Sequence, residues 1–289
     1  MQILINGLVT GLTIAVMALA FTVVYLPTHI FYIALAGIYA IAPFLSWMSL
    51  QWGWAWYWSA MFSIGIGILL SLICEWLNHA PLDRKMASSG AHLVSSLGLY
   101  IMIVQAIAII WGNETKVLRM GLDATYTIVG AIITQAQVIA AISSVLVLSV
   151  FYVWLKFSQL GLQFRALADN PKEFMLKGYN ARSLRLIAFG ISGLLGSLSG
   201  LLVAYDIGFD PQGGLSALLL AVVATIIGGR QSFLGAALGG VLLGVLRSQV
   251  VWFLSARWQE AVTFLLLAIF LFVRPQGILG QKGRLEAES

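Results

Sequence analysis

The chain has 289 residues, of which 60% are hydrophobic and only 9% charged, with a formal net charge of +5 and a mean hydropathy of +0.95. Soluble globular domains carry roughly 25% charged residues. A water-soluble enzyme or binding module is therefore excluded, and the class that fits is an all-α, polytopic transmembrane helical bundle.

About 20 mostly apolar residues are enough to cross the hydrocarbon core as a helix. The opening run, MQILINGLVTGLTIAVMALAF, has no basic residue ahead of its apolar stretch, so it reads as a retained span over 3–25 rather than a cleaved leader. Further spans follow at 31–50, 57–76, 93–111, 128–155, 184–205, 215–228, 233–253 and 259–273. The count is nine, with eight as the alternative because 215–228 and 259–273 are short. All belong to one transmembrane domain over 1–289, interrupted by a polar loop at 156–185. The lone cysteine, Cys74, excludes an internal disulfide framework.

Nine spans sort the loops into two sets. Arg84, Lys85, Lys156, Arg165, Lys172, Lys177, Arg182, Arg185, Arg230, Arg274, Lys282 and Arg284 fall on one side. Those are twelve of the sixteen Lys and Arg; Lys116, Arg119 and Arg257 lie opposite, and Arg247 sits in the outer half of a span. Cytoplasmic loops carry the basic excess, so the N-terminus is expected outside and the C-terminus in the cytoplasm. The same one-sidedness assigns the net charge to membrane topology and not to nucleic acid. Trp52, Trp54, Trp56 and Trp58 mark the outer interface as an aromatic belt.

The eleven carboxylates all lie in loops or within about a turn of a span end. Proton-coupled carriers usually keep an ionisable group deep in the membrane, which argues against a secondary transporter or channel. His29, His79 and His92 show no i, i+3 or i+4 ligand spacing, so no metal site is expected. No nucleophile and base pair is legible, and no G-x-x-x-x-G-K-[ST] motif is present. The chain is expected to be no enzyme and to hold no cofactor.

The glycines are patterned. Gly7 and Gly11, Gly196 and Gly200, Gly235 and Gly239, and Gly240 and Gly244 have the small-xxx-small spacing of closely packed helices. The turns at Gly213 and Gly214 and at Gly228 and Gly229 flank the short span, and short or interrupted helices often line transport paths. The stretch 205–232 is therefore the candidate pathway or gating element.

The loop GLQFRALADNPKEFMLKGYN, residues 161–180, reads as two short helices. GLQFRALA has helical spacing; Asp169 or Asn170 is placed to cap a second helix that starts at Pro171 and stops at Gly178. Phe174, Met175 and Leu176 among the charges form an apolar ridge in a polar rim, the pattern of a docking surface; a merely solvated connector is the plainer reading.

This segment resembles the cytoplasmic coupling loop of the branched-chain and neutral amino acid permeases of ABC importers. Gly161, Arg165, Ala166, Gly178 and Asn180 match the G-x-x-x-R-A and G-[hydrophobic]-[Asn/Asp] pattern. LIAFGISGLLGSLSGLL, IIGGRQSFLGAALGGVLLG and FLFVRPQGILG are similar to the family's following segments, with MALAFTVVY and PLDRK as fainter echoes upstream. The resemblance implies a permease subunit in the bacterial inner membrane that moves an amino acid. It also implies a second permease subunit, two ATP-binding subunits that carry the ATP, and a periplasmic substrate-binding protein. Arg165, Ala166, Asp169, Pro171, Phe174, Gly178 and Asn180 would then couple the spans to ATPase closure. Three departures stand out. Phe174 replaces a commonly small residue, and YIALAG keeps Tyr32 without the family's His or Gln. Leu220 and Arg247 stand where Lys and Glu are frequent. Tyr32 and Arg247 join the candidate pathway residues. A permease for another small solute, such as urea or a sugar, is the alternative.

Overall fold

The computed structural model describes residues 1–119, 124–128, 130–169, 171–229, 232–274 and 276–279. Twelve α-helices carry the chain: α1 (Gln2–Thr28), α2 (Ala34–Gln51), α3 (Trp56–Cys74), α4 (Ala80–Arg84), α5 (Ser89–Trp111), α6 (Gln135–Phe157), α7 (Gln159–Asp169), α8 (Pro171–Leu176), α9 (Ala181–Asp206), α10 (Gly213–Gly228), α11 (Phe233–Phe253) and α12 (Gln259–Val273). A π-helical turn, Glu75–His79, joins α3 to α4 without a break, so one helical run extends over Trp56–Arg84. Among the described residues, eight helical segments are long and apolar enough to cross a membrane. The ninth expected span, α10, is a helix of 16 residues. At 1.5 Å per residue it is about 24 Å long, short of the roughly 30 Å hydrocarbon core.

The expected span over 128–155 is corrected at its start. Thr125–Ile128 and Ala131–Thr134 pair as an antiparallel hairpin, β1 and β2. Threonine and β-branched residues favour the extended chain, and Thr134 then starts α6 with a capping box: its side chain accepts from the Gln137 amide at 3.2 Å, and Gln137 returns a bond to the Thr134 amide. The hairpin is latched to the chain's beginning, since the Gln2 side-chain amide donates to the Ile132 carbonyl at 2.8 Å and accepts from the Ile132 amide at 2.7 Å.

Helix α1 is the central post: 89% of its most apolar stretch is buried, against 6% for the last span. Its glycines meet those of α11, as their spacing predicts. A β-carbon on Gly11 would lie 2.7 Å from the Val241 carbonyl oxygen, and one on Gly7 would lie 2.8 Å from Ser248. Helix α9 packs against α2 and α3 in the same manner, through Gly196 on Leu35 and Gly193 on Ser71. Missing side chains bring the backbones together, so dispersion contacts replace the hydrophobic drive that lipid does not supply.

The contacts also define two ends. At one end, the 112–134 connection bridges to Phe209 through paired backbone bonds with Lys116, both 2.9 Å. At the other lie α7, α8, the α10–α11 turn and residues 276–279, where the Ile278 amide donates to the Ile227 carbonyl at 2.9 Å. The second end carries the basic loop. The tryptophan cluster is at the first, with Trp52, Trp54, Trp56 and Trp58 all exposed.

Candidate functional site

The polar loop folds as its sequence predicts. Ser158 opens α7, its hydroxyl accepting from the Gly161 amide at 2.9 Å. Gly161 lets α7 turn back on α6, because a β-carbon there would lie 2.7 Å from the Leu155 backbone. Phe164 and Leu167, three residues apart, point inward and are buried. Phe164 meets Trp154 edge-on at 5.6 Å. Arg165, Ala166 and Asp169 are left on the outer face. Pro171 is the first residue of α8, where its missing N–H is no loss. Gly178 follows α8 with φ +81°, the left-handed backbone that glycine adopts without strain. Asn180 caps α9, its side-chain oxygen accepting from the Arg182 and Ser183 amides at 3.0 and 3.3 Å. Asn170 lies outside the described residues.

One expectation is overturned. Phe174 is not part of an exposed ridge: it is 4% exposed and stacks on Tyr179 with ring centroids 5.0 Å apart. The helical turn that puts Glu173 outside rotates Phe174 into the core, while Leu176 is left in the open, 86% exposed; the Met175 side chain lies outside the described residues. Arg165 and Asp169 share a groove of about 440 Å³ with Lys156, Ser232 and Leu279. The outward surface of the loop thus includes Leu160, Leu162, Arg165, Ala166, Asp169, Glu173 and Leu176.

At the opposite end, a cavity of about 710 Å³ opens between α1, α9, α10 and α11. Asn6, Thr10 and Thr13 line one wall, Leu202 and Asp206 another, and Leu220 and Arg247 a third. Two of the residues that depart from the resembled family, Leu220 and Arg247, therefore meet in one cavity. Arg247 is steadied by neutral groups, donating to the Thr263 hydroxyl at 3.0 Å and to the Gln259 side-chain oxygen at 3.4 Å.

The other candidate pathway residues do not face it. Tyr32 is fully buried, shares a hydrogen bond with the Ser71 hydroxyl at 3.1 Å and packs on Phe189. Gly213 opens α10 with its amide on the Asp210 carboxylate at 2.9 Å. Gly214 lets α10 approach the Ala36 backbone, and Gly228 lets the α10 end touch Gly235. Gly229 turns the chain with φ +121°. Their smallness serves packing and turning, while Ala217 and Leu220 of the same helix reach the cavity.

A polar cluster went unread in the sequence. Glu75 does not lie at a span end; the π turn carries the helix on to Arg84, and Glu75 is 1% exposed. Arg185 of α9 answers it, with Nε on one carboxylate oxygen at 2.9 Å and Nη2 on the other at 3.2 Å. His79 and His92 are buried beside them, Nδ1 to Nδ1 at 3.2 Å. Their ring centroids are 5.5 Å apart and their planes differ by 17°. The rings therefore meet edge to edge along one line, so one imidazole donates and the other accepts. Among the described residues no three His, Cys, Asp or Glu converge as a metal site needs.

Comparison with known proteins places these features in a family. The family described as branched-chain amino acid transport system permease component matches residues 3–272. LivH of Salmonella typhimurium, a high-affinity branched-chain amino acid transport system permease, is 27% identical over 97% of this chain and 96% of its own. BraD of Pseudomonas aeruginosa, of the same description, is 26% identical over the same shares. LsrC of Photorhabdus luminescens, an autoinducer 2 import system permease, is 30% identical but over 44% of this chain and 41% of its own. The solved PsaBC from Streptococcus pneumoniae, in complex with a Fab, has the same fold, with TM-score 0.55 and 13% identity over 96% of this chain and 93% of that one. An apolar multi-helix bundle with these relatives is a multi-pass inner-membrane protein. The chain belongs to the branched-chain amino acid transport system permease family.

Proposed function

We propose that this chain is one permease subunit of an ABC importer that moves branched-chain or other neutral amino acids into the cytoplasm. Separate subunits hydrolyse the ATP, and the chain itself needs no cofactor. The N-terminus lies outside and the loop over 156–185 in the cytoplasm, following the basic excess of that end. A second permease subunit and two ATPases complete the membrane machine, and a substrate-binding protein delivers the solute from outside. The observation that carries this reading is kinship with LivH and BraD over nearly the whole chain. The loop supports it: Arg165, Ala166, Asp169 and Leu176 are presented outward on two short helices between α6 and α9, a surface that an ATPase cleft can grip and move. Pro171, Phe174, Gly178, Asn180 and Gly161 hold that surface in shape. Alternating access follows when closure of the ATPases displaces the loop and rocks the spans.

The test is to tag the chain in its native membrane, purify it in mild detergent and identify stoichiometric companions by mass spectrometry. An ATPase and a second permease are expected, with ATP-dependent uptake of radiolabelled L-leucine in sealed vesicles. Recovery of the chain alone would overturn the reading. A permease for another small solute is the second reading, favoured by the partial likeness to the autoinducer 2 import permease. Uptake that L-leucine, L-isoleucine and L-valine fail to compete would select it.

A further inference from the structure

Arg185 sits five residues beyond Asn180, where the loop hands over to α9, and it reaches sideways to the helical run over Trp56–Arg84. Its guanidinium grips both oxygens of Glu75 and extends its third edge, Nη1, to Asp83 at 2.6 Å. The Arg185 side chain is 14% exposed, Glu75 1% and Asp83 60%, so the grip runs from the core to the surface. Glu75 opens the π turn and Asp83 lies in α4 just past it, on the helical run that begins as α3. We propose that Arg185 is the transmission joint of the permease: it makes the start of α9 and the end of α3 move as one body when the coupling loop is displaced. This inference rests on the importer reading above.

Three observations make the joint directional and stiff. First, Glu75 is a buried carboxylate that accepts two hydrogen bonds from Arg185, one on each oxygen. Sliding α9 past α3 would leave that charge uncompensated in an apolar surrounding, which is strongly disfavoured. Second, the bidentate fork fixes angle as well as distance, which a single point charge does not. Third, the contact continues deeper along the same two helices. The Ser71 hydroxyl donates to the Phe189 carbonyl at 2.6 Å, and Gly193 brings the α9 backbone against Ser71 and Ile68. Beyond the π turn, the His79–His92 bond carries the connection to α5. By contrast, the loop itself is held by apolar packing through Phe164, Leu167 and Phe174, which tolerates small shifts. Displacement of the loop therefore reaches α3 and α5 through Arg185.

The experiment uses the assembled complex and three variants: Arg185→Lys, the double variant Arg185→Gln with Glu75→Gln, and Asp83→Asn. The double variant removes both buried charges together, so no orphan charge unfolds the chain, and Asp83→Asn changes a largely exposed side chain. ATP hydrolysis and uptake of radiolabelled L-leucine are measured per assembled complex. Coupling energies of this kind correspond to about 5- to 150-fold. The double variant is expected to hydrolyse ATP within about twofold of the parent while uptake falls at least about tenfold, with Arg185→Lys and Asp83→Asn between the two. A purely structural role predicts that uptake falls only with the amount of assembled complex. Unchanged uptake per complex in the double variant, or, should that variant not assemble, in both of the others, overturns the proposal. A parent complex with no ATPase, or with uptake indifferent to ATP, overturns the importer reading and this inference with it.

Discussion

Gly11 on α1 and Gly244 on α11 lie backbone to backbone, so close that a β-carbon on Gly244 would strike the Gly11 amide and Cα. The opposing atoms are main chain, which cannot rotate away. Gly244→Leu is expected to force the helices apart and to lose most of the monodisperse protein recovered in detergent. Gly98→Ala, where nothing lies within 4 Å of the added carbon, should leave the yield unchanged. Size-exclusion profiles of the two variants check this.

The loop divides its labour between Phe174 and Leu176. Phe174→Ala removes a buried ring, a change that costs about 3–5 kcal/mol in a well-packed core, and should loosen the loop so that proteolysis there becomes faster. Leu176→Asp alters an exposed side chain and should leave proteolysis and yield as in the parent. Its effect is expected on recovery of the ATPase during purification, which should fall severalfold. The reverse assignment, with Phe174→Ala affecting only ATPase recovery, would contradict the burial.

Gly178 has space around it but a backbone that side chains avoid. Proline fixes φ near −65° and cannot adopt +81°, so Gly178→Pro should abolish uptake while membrane insertion persists. Asparagine tolerates the left-handed region, and Gly178→Asn should retain most uptake. Normal transport by the proline variant would remove the loop from the coupling route.

Much of this was legible beforehand because its signals are local. Pro171, Gly178 and the helical spacing around Phe164 specify two short helices whatever surrounds them, and the glycine spacings on α1, α9 and α11 specify close packing. What was not legible depends on rotation and on distant partners. Whether Phe174 faces in or out is set by how α8 lies on Tyr179. Glu75 looked like a span-end residue because nothing in its own segment announces the π turn that continues the helix, and its partner, Arg185, is 110 positions away. Tyr32 and the four turn glycines were assigned to a pathway on resemblance and spacing; their neighbours are helix backbones and core rings. The hairpin before α6 was read as membrane because β-branched residues are as apolar in a strand as in a span.

The cavity between α1, α9, α10 and α11 offers a separate test. Ala217 lines it from α10 and faces open space, so Ala217→Trp should fill part of it without disturbing a helix contact. Uptake is expected to fall severalfold with yield unchanged. Equal uptake would place the solute route elsewhere, at a surface shared with the partner permease.

Helix α1 is made well before α11, the helix it packs against. The Ser248 hydroxyl donates to the Ile3 carbonyl at 2.6 Å across 245 positions, and synthesis at about 5–20 residues per second puts roughly 12–50 s between the two. During that interval the glycine and threonine face of α1 has no α11 to meet, and lipid is a poor substitute for a backbone at close range. The order of synthesis thus makes the central post the segment most dependent on whatever accompanies the nascent chain, and makes any truncation before α11 a defect of the first helix.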